Sequence, residues 1–234
     1  MTTASPITTA DLVRATAHLL RTPLGVILGI ATTLRDYDAR FTAEQRRGYL
    51  DEVVQAAEEM RVALDGMSLL ARLVGGTLEL TPAPATVSEV VQAAARGLHA
   101  VWAVAVPGAA DPDAGVGTVP VDLPRIEQAC QALARVVVPG AAVQLVGECT
   151  PVPRLRLGPV AVRAPEDGWQ ALLVVPLAAT VGAETVSRPG NWPVVLARYL
   201  LEAQGCRLRL EPLAGGVELR IELPVASAWP TSEA

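Results

Sequence analysis

Apolar residues recur in steps of three and four through most of the first 74 residues, and this pattern constrains the fold more than any other feature. Such a seam is typical of helices that bury one stripe against partner helices. Thr8 and Thr9 can cap a first helix that begins near Asp11, where an acidic side chain suits the N-terminal dipole. Its seam residues are Val13, Ala17, Leu20, Leu24, Ile27, Ala31 and Leu34.

The pattern breaks at residues 35–40 and resumes in a second helix. Thr42 and Gln45 have the spacing of a capping box, and Gly75 follows the last seam residue. The second seam consists of Leu50, Val53, Ala57, Met60, Leu64, Met67, Ala71 and Val74. Two long helices with a short connection predict a helical hairpin. Because one hairpin leaves each seam half covered, we expect two copies to form a dimeric four-helix bundle.

The first helix carries one of the two histidines of the chain, at the edge of the predicted seam. His18 directly follows the seam residue Ala17. Thr22 lies one turn later on the same face, and Arg14 and Arg21 lie four residues before and three residues after the histidine. A phosphoryl group on the imidazole would have both guanidiniums within reach of charge-assisted hydrogen bonds.

The seven residues from His18 to Leu24 read His-Leu-Leu-Arg-Thr-Pro-Leu. This run resembles the H-box of sensor histidine kinases, usually written H-E-L-R-T-P-L, and six of the seven positions agree. The resemblance implies that His18 is the phosphoacceptor and that Thr22 assists water positioning during receiver dephosphorylation. The family's acidic residue after the histidine, taken to be a general base, is Leu19 here. A boundary histidine with only a packing role is the alternative, which the motif and the hairpin together disfavour.

From residue 77 onward, short strands alternate with helices, which predicts an α/β sandwich. We expect a strand at residues 77–80 and a linker at 81–84, followed by a helix that Ser88 caps. Further strands are expected at residues 101–106, 142–146, 154–162 and 170–177, with helices from Asp122 to about residue 137 and at 192–204, and a closing hairpin at 207–211 and 217–223. The fold class is therefore α+β, with a helical hairpin at residues 1–76 and a second domain at residues 77–234.

The second domain resembles the ATP-binding catalytic domain of histidine kinases, which follows the hairpin in that family. Residues 122–128, Asp-Leu-Pro-Arg-Ile-Glu-Gln, are similar to the family's D-x-x-R-L-x-Q helix start, and residues 196–205 are similar to its closing helix. A domain with only an architectural likeness to the kinase is the alternative for this half of the chain.

The residues that bind nucleotide in this family are missing. Ala132 and Val136 fall at the positions of two asparagines, the second of which ligates magnesium in the family, and valine offers no oxygen to this ion. Residues 176–180 lack the D-x-G-x-G pattern, and only Gly190 remains of the second glycine box, with Trp192 close behind. The resemblance therefore implies that the domain has lost ATP and magnesium, and we expect no other cofactor or metal.

Composition restricts the remaining possibilities. A hydrophobic content of 51% in 234 residues is ample for a core, and a net charge of −5 gives no reason to expect nucleic-acid binding. Cys130, Cys149 and Cys206 are scattered and indicate free thiols in a reducing compartment. The longest early apolar run, residues 24–31, is far shorter than the ~20 residues that span a bilayer, so we expect a cytoplasmic protein without a membrane segment. A core role is favoured for His99.

These observations predict a histidine phosphotransfer protein of a two-component phosphorelay. It would exchange phosphoryl groups between His18 and the aspartates of response-regulator receivers, with Arg14, Arg21 and Thr22 in support. The receiver supplies the magnesium, so the missing nucleotide residues do not prevent the exchange. The expected partners are a second copy of the chain, receiver domains and an upstream histidine kinase. Two alternatives stay open: a pseudokinase scaffold that binds receivers or a true kinase, and a divergent active kinase.

Overall fold

The computed structural model describes residues 8–99, 118–149, 152–162, 191–213 and 216–225, and it confirms the helical hairpin. Helix α1 spans Thr9–Tyr37, a 3-10 turn spans Asp38–Arg40, and helix α2 spans Ala43–Val74. Both predicted caps are present. The amide of Asp11 donates to Thr8 Oγ1 at 3.2 Å, and the amide of Gln45 donates to Thr42 Oγ1 at 3.2 Å. These caps satisfy amides that the first turn of each helix leaves unpaired.

The stripe that the hairpin buries is displaced from the predicted seam. On α1, Val13 and Leu24 belong to that seam but are 65% and 44% exposed. On α2, the seam residues Leu50 and Leu64 are 54% and 46% exposed. Each helix therefore carries two apolar stripes, and the hairpin closes mainly over the one that the spacing did not identify. The residues buried in the hairpin are Leu12, Ala15, Leu19 and Pro23 on α1, and Ala56, Ala63, Gly66, Met67 and Leu70 on α2.

One segment of the described chain is long and apolar enough to cross a membrane by length and composition alone. This segment, Thr9–Arg40, has a mean hydropathy of 1.3. The sequence expectation considered only uninterrupted apolar runs and therefore passed over it. Bundle helices of soluble proteins and signal sequences meet the same criterion. The cytoplasmic location of the protein therefore stays a prediction.

The second domain packs helices against a four-stranded antiparallel sheet. Its helices are α3 (Val87–His99), α4 (Leu123–Ala134) and α5 (Trp192–Glu202). The sheet contains β3 (Val137–Glu148), β4 (Arg154–Val162), β5 (Arg207–Leu213) and β6 (Gly216–Glu222) in the order β3-β4-β6-β5. Strands β1 (Ala83–Ala85) and β2 (Val119–Val121) pair separately. Leu155, Leu157, Leu219 and Ile221 are buried on one face of the sheet.

Most predicted elements of this domain that fall on described residues are confirmed, including β4, α5 and the closing β5–β6 hairpin. The predicted strand at residues 77–80 is wrong, because the paired strand lies at 83–85, inside the expected linker. The cap of α3 is Thr86 and not Ser88, since the amide of Glu89 donates to Thr86 Oγ1 at 3.2 Å. The strands expected at residues 101–106 and 170–177 lie outside the described residues.

Asp122 caps α4 as predicted, and it also ties three separate segments together. Its side chain is buried, and its carboxylate accepts hydrogen bonds from the amide of Arg125 at 3.3 Å and from the amide of Thr81 at 2.9 Å. Its own amide donates to Gln204 Oε1 at 2.7 Å. This aspartate therefore holds the linker and the end of α5 against the start of α4.

The hairpin and the second domain meet where α5 packs on α2. Trp192, the first residue of α5, is 7% exposed and lies directly over Gly66 of α2. A Cβ atom at Gly66 would lie 2.1 Å from Trp192 Cζ3, so only glycine leaves room for the indole ring. In the sequence, Trp192 was noted only because it follows what remains of the second glycine box. In the structure this residue anchors the domain to the hairpin.

Candidate functional site

His18 lies on an exposed face of α1, between the two apolar stripes of that helix. Leu19 points into the hairpin on one side, and Ala17 lies on the exposed predicted seam on the other. The histidine is therefore on open surface, beside the predicted seam and next to the stripe that the hairpin buries. Its imidazole is accessible to a large partner such as another protein domain.

The three predicted supporting residues lie around the same exposed surface. Arg14, Arg21 and Thr22 are all exposed, and helical spacing places each within one turn of the histidine. The described residues offer no carboxylate within ion-pair distance of Arg21, and for Arg14 the nearby acid is Asp11, whose pKa is lowered chiefly by hydrogen bonds from Thr8 and to a small extent by Arg14. The local charge beside His18 is thus positive, which favours an incoming phosphoryl group.

Leu19 is a packing residue. It is 8% exposed and belongs to the same buried cluster as Leu12 and Leu70. A carboxylate at this buried position would lose most of its hydration. The substitution that separates this chain from the H-box consensus therefore contributes directly to the hairpin core.

The positions that correspond to the family's asparagines hold apolar side chains in the structure. Ala132 and Val136 are 5% and 8% exposed, at the end of α4. Neither side chain carries an oxygen, so these residues do not fit a magnesium ion, which requires a shell of oxygen ligands. Residues 176–180 and Gly190, which bear on the glycine boxes, lie outside the described residues.

The cysteines are free, as the sequence predicted, and two of them are deeply buried. Burial raises the pKa of Cys130 to about 12, with smaller contributions from Cys206 and Glu127, and burial raises the pKa of Cys206 to about 12. Both thiols stay protonated near neutral pH and are poor nucleophiles. They belong to the core and take no part in the chemistry at His18.

A second polar feature was missed by the sequence interpretation. A cavity of about 410 Å³ lies between α2 and α4, beside the contact of Trp192 with Gly66. The seam pattern includes only apolar positions, so the arginines on the remaining face of α2 were not noticed. Gly66 was an available signal, because a glycine inside a helix usually has a packing reason. The polar lining includes Arg61, Arg72, Arg125, Gln128, Gln131 and Arg135.

The helical hairpin carries an exposed histidine and is followed by an α/β domain, which is the arrangement that the resemblance to histidine kinases implies. Residues 9–76 match the family model of the His Kinase A (phospho-acceptor) domain, and the matched segment includes His18. The chain thus carries a phospho-acceptor hairpin of the His Kinase A family. This assignment places it, at a coarse level, in two-component signalling, where such hairpins generally dimerise and work with response regulators.

Several solved structures are similar to this chain. The chain is similar to the Acinetobacter baumannii histidine kinase AdeS, with a TM-score of 0.57 and 14% identity over 88% of this chain and 96% of that one. It is also similar to full-length ShkA in complex with AMPPNP, with 23% identity, a TM-score of 0.47 and coverage of 93% and 46%. A bacterial phosphotransferase is similar at 15% identity, with a TM-score of 0.46 and coverage of 94% and 100%. No curated protein matches the chain. The similarity to AdeS confirms the predicted α+β fold class.

Proposed function

We propose that this protein is a histidine phosphotransfer protein that exchanges phosphoryl groups between His18 and receiver aspartates without using ATP. The observation that carries the proposal is the exposed position of His18 within the matched phospho-acceptor hairpin. In the forward step, an imidazole nitrogen attacks the phosphorus of an aspartyl phosphate. The P–N bond forms as the P–O bond breaks, and the receiver aspartate leaves as a carboxylate.

The surroundings of His18 suit this exchange better than autophosphorylation. The neighbouring Leu19 cannot accept a proton, whereas attack on an aspartyl phosphate has a good leaving group and a magnesium ion supplied by the receiver. Arg14 and Arg21 provide charge on the protein side, and Thr22 lies one turn away, where the resemblance implies a role in positioning water for the separate hydrolysis of the receiver phosphate. Ala132 and Val136 support the loss of magnesium–ATP binding, because both are apolar where the family uses amide oxygens.

The test is transfer of labelled phosphate from a phosphorylated receiver. We expect an acid-labile, base-stable label on the wild-type protein, mapped by mass spectrometry to the peptide that contains His18. Stable binding of several receivers with no label at any time point would contradict phosphotransfer.

A non-enzymatic scaffold is the second candidate, and the contact between Trp192 and Gly66 favours it. This contact joins the second domain to the hairpin through a buried aromatic ring, which suits a protein that presents one composite surface to a partner. In that case His18 would be unused, and receivers or a true kinase would bind with the same affinity whether or not the histidine is present.

We expect the protein to dimerise, because the exposed apolar seam of one hairpin can be buried against that of a second copy. Leu24→Glu and Leu64→Glu should each weaken the dimer about 100-fold or more, since each substitution removes a leucine that the dimer would bury and places a charge in the interface. Sedimentation equilibrium would report the change. Val152→Glu is the matched control, because Val152 is 40% exposed but lies in the second domain. A monomeric wild-type protein, or leucine variants that dimerise like the control, would contradict this assembly.

A further inference from the structure

The second domain docks on the same side of the hairpin as His18. Leu19 on α1 and Met67 on α2 are buried where the two helices face each other. His18 directly precedes Leu19, and Gly66 directly precedes Met67. Because the helices are antiparallel and each residue advances about 100° around its helix, the residues just before the facing ones project to the same side of the hairpin. The contact between Gly66 and Trp192 therefore lies on the histidine side, away from the predicted dimer seam.

His18 and Gly66 are also close to each other along the length of the hairpin. They lie at similar separations from the connection at residues 38–42, so they differ in height by about one helical turn. The axes of packed helices are about 8–10 Å apart, and a small folded domain is about 30 Å across. A partner domain centred on His18 would therefore reach the second domain as well as both helices.

An open groove of about 480 Å³ lies between α2 and Arg135, the residue that follows α4. Its α2 residues lie between Asp51 and Val62, and the symmetry of the hairpin places them level with the turns that follow His18 on α1. Val54 is apolar but 68% exposed in this groove, and Val62 is half-buried beside it. Val54 belongs neither to the predicted seam nor to the buried stripe, so neither the expected dimer nor the hairpin covers it.

The charge around this groove is mainly negative. Among the described residues, its lining has three exposed carboxylates, Asp51, Glu58 and Glu59, and one exposed arginine, Arg135. The pKa of Glu58 is lowered chiefly by the hydrogen bond from Arg61, and Arg135 adds a small further effect, so the Arg135 guanidinium lies near this carboxylate. An apolar side chain with an acidic rim favours a partner surface that carries basic residues around an apolar one.

We propose that a receiver docks on both parts of the chain, and that the groove between α2 and Arg135 takes an apolar side chain of the receiver that basic residues surround. This inference rests on the proposed function, because it is the phosphotransfer partner that must be held against His18. The groove holds the receiver, whereas the histidine carries out the chemistry. Substitutions in the groove should therefore change the affinity for the receiver and not the rate of transfer within the complex.

Titration calorimetry of the full chain with a purified receiver that binds the wild-type protein tests the proposal. Val54→Arg places a long cation in the groove and should raise the Kd for this receiver about tenfold or more. Val152→Arg is the control, because it makes the same change at an exposed valine of the second domain outside the groove, and it should bind like the wild type. In label transfer, Val54→Arg should raise the receiver concentration that gives the half-maximal rate by the same factor. The rate at saturating receiver should stay within about twofold of the wild type.

Charge substitutions test the chemistry of the partner surface. Arg135→Gln removes a cation from the groove and should tighten binding of the receiver about two- to fivefold, whereas Glu59→Gln should weaken it by a similar factor. Both differences should shrink as the salt concentration rises. A gain of affinity in Arg135→Gln cannot result from damage to the fold.

Equal affinity of Val54→Arg and Val152→Arg for the receiver would overturn the proposal, and so would weaker binding by Arg135→Gln together with tighter binding by Glu59→Gln. The failure of this proposal and the failure of phosphotransfer can be told apart. If limiting receiver labels His18 equally well in both valine variants, phosphotransfer stands and the docking surface is wrong. If Val54→Arg weakens receiver binding but the wild type takes no label, the docking surface stands and phosphotransfer is wrong.

Discussion

Gly66→Ala is expected to lower the stability of the docked structure, although alanine is ordinarily the better residue inside a helix. The new Cβ would lie 2.1 Å from Cζ3 and 2.7 Å from Cη2 of Trp192, so the indole must leave its place on α2. Overpacking of this kind costs about 1–3 kcal/mol. We therefore expect Gly66→Ala to lower the free energy of unfolding by this amount relative to the same substitution at a glycine of α2 that has no such neighbour.

Gly48 of α2 provides this comparison, because a Cβ there would meet nothing within 4 Å. Gly48→Ala should raise the free energy of unfolding by about 0.5–1 kcal/mol through helix propensity alone. Both variants gain the same propensity, so the difference between them in chemical denaturation isolates the contact with the indole. Equal stabilities would show that Trp192 does not rest on Gly66.

A second-site change sharpens this test. Trp192→Leu removes the ring that the added methyl group meets, so Gly66→Ala should cost much less in that background than in the wild type. The coupling free energy from the double-mutant cycle is expected to be about 1–3 kcal/mol. Additive effects would mean that the two residues are not in contact.

His18→Gln is expected to abolish the acceptance of phosphate from a receiver. Glutamine keeps hydrogen-bonding capacity on the same exposed helix face, but its amide nitrogen is not a nucleophile. Because His18 is exposed, the substitution should leave folding intact and reduce labelling to background. The measurement is the time course of label transfer, with circular dichroism and receiver affinity recorded alongside.

Arg21→Gln and Arg14→Gln provide graded controls for the same experiment. Each should slow transfer by about two- to tenfold, because one charge-assisted contact to the phosphoryl group is lost at a solvent-exposed site. Thr22→Ala should leave labelling near the wild-type rate, because the expected role of this threonine is in hydrolysis of the receiver phosphate. Label retained on His18→Gln would move the phosphoacceptor to another residue.

Local signals in the sequence were sufficient for much of the fold. The caps at Thr8 and Thr42, the aspartate before α4 and the two strands of the last hairpin each depend on neighbouring residues, and all lie where they were expected. The stripe that the hairpin itself buries was not identified, because Val13 and Leu12 are both apolar and spacing alone cannot say which one faces the other helix of the hairpin. That choice is made by long-range packing.

The same distinction between local and long-range signals applies to the candidate site. The heptapeptide that begins at His18 is contiguous, so its chemistry can be recognised from neighbouring residues alone. The arginine cavity joins residues from α2 and α4 that are more than fifty positions apart, and no short motif contains them. The role of Leu19 also became clear only from packing. Compared with the H-box, leucine replaces the family's acidic residue, and in the structure its side chain fills part of the hairpin core.

The central claim, that His18 receives phosphate from receivers and not from ATP, is tested most directly by offering both donors to the same wild-type protein. Labelled magnesium–ATP and a labelled phosphoreceiver would be supplied in parallel at equal phosphate concentration, and acid-labile label on the protein would be counted over time. The account predicts label from the receiver, mapped to His18, and background from ATP. Label on His18 from ATP without any other kinase present would contradict it.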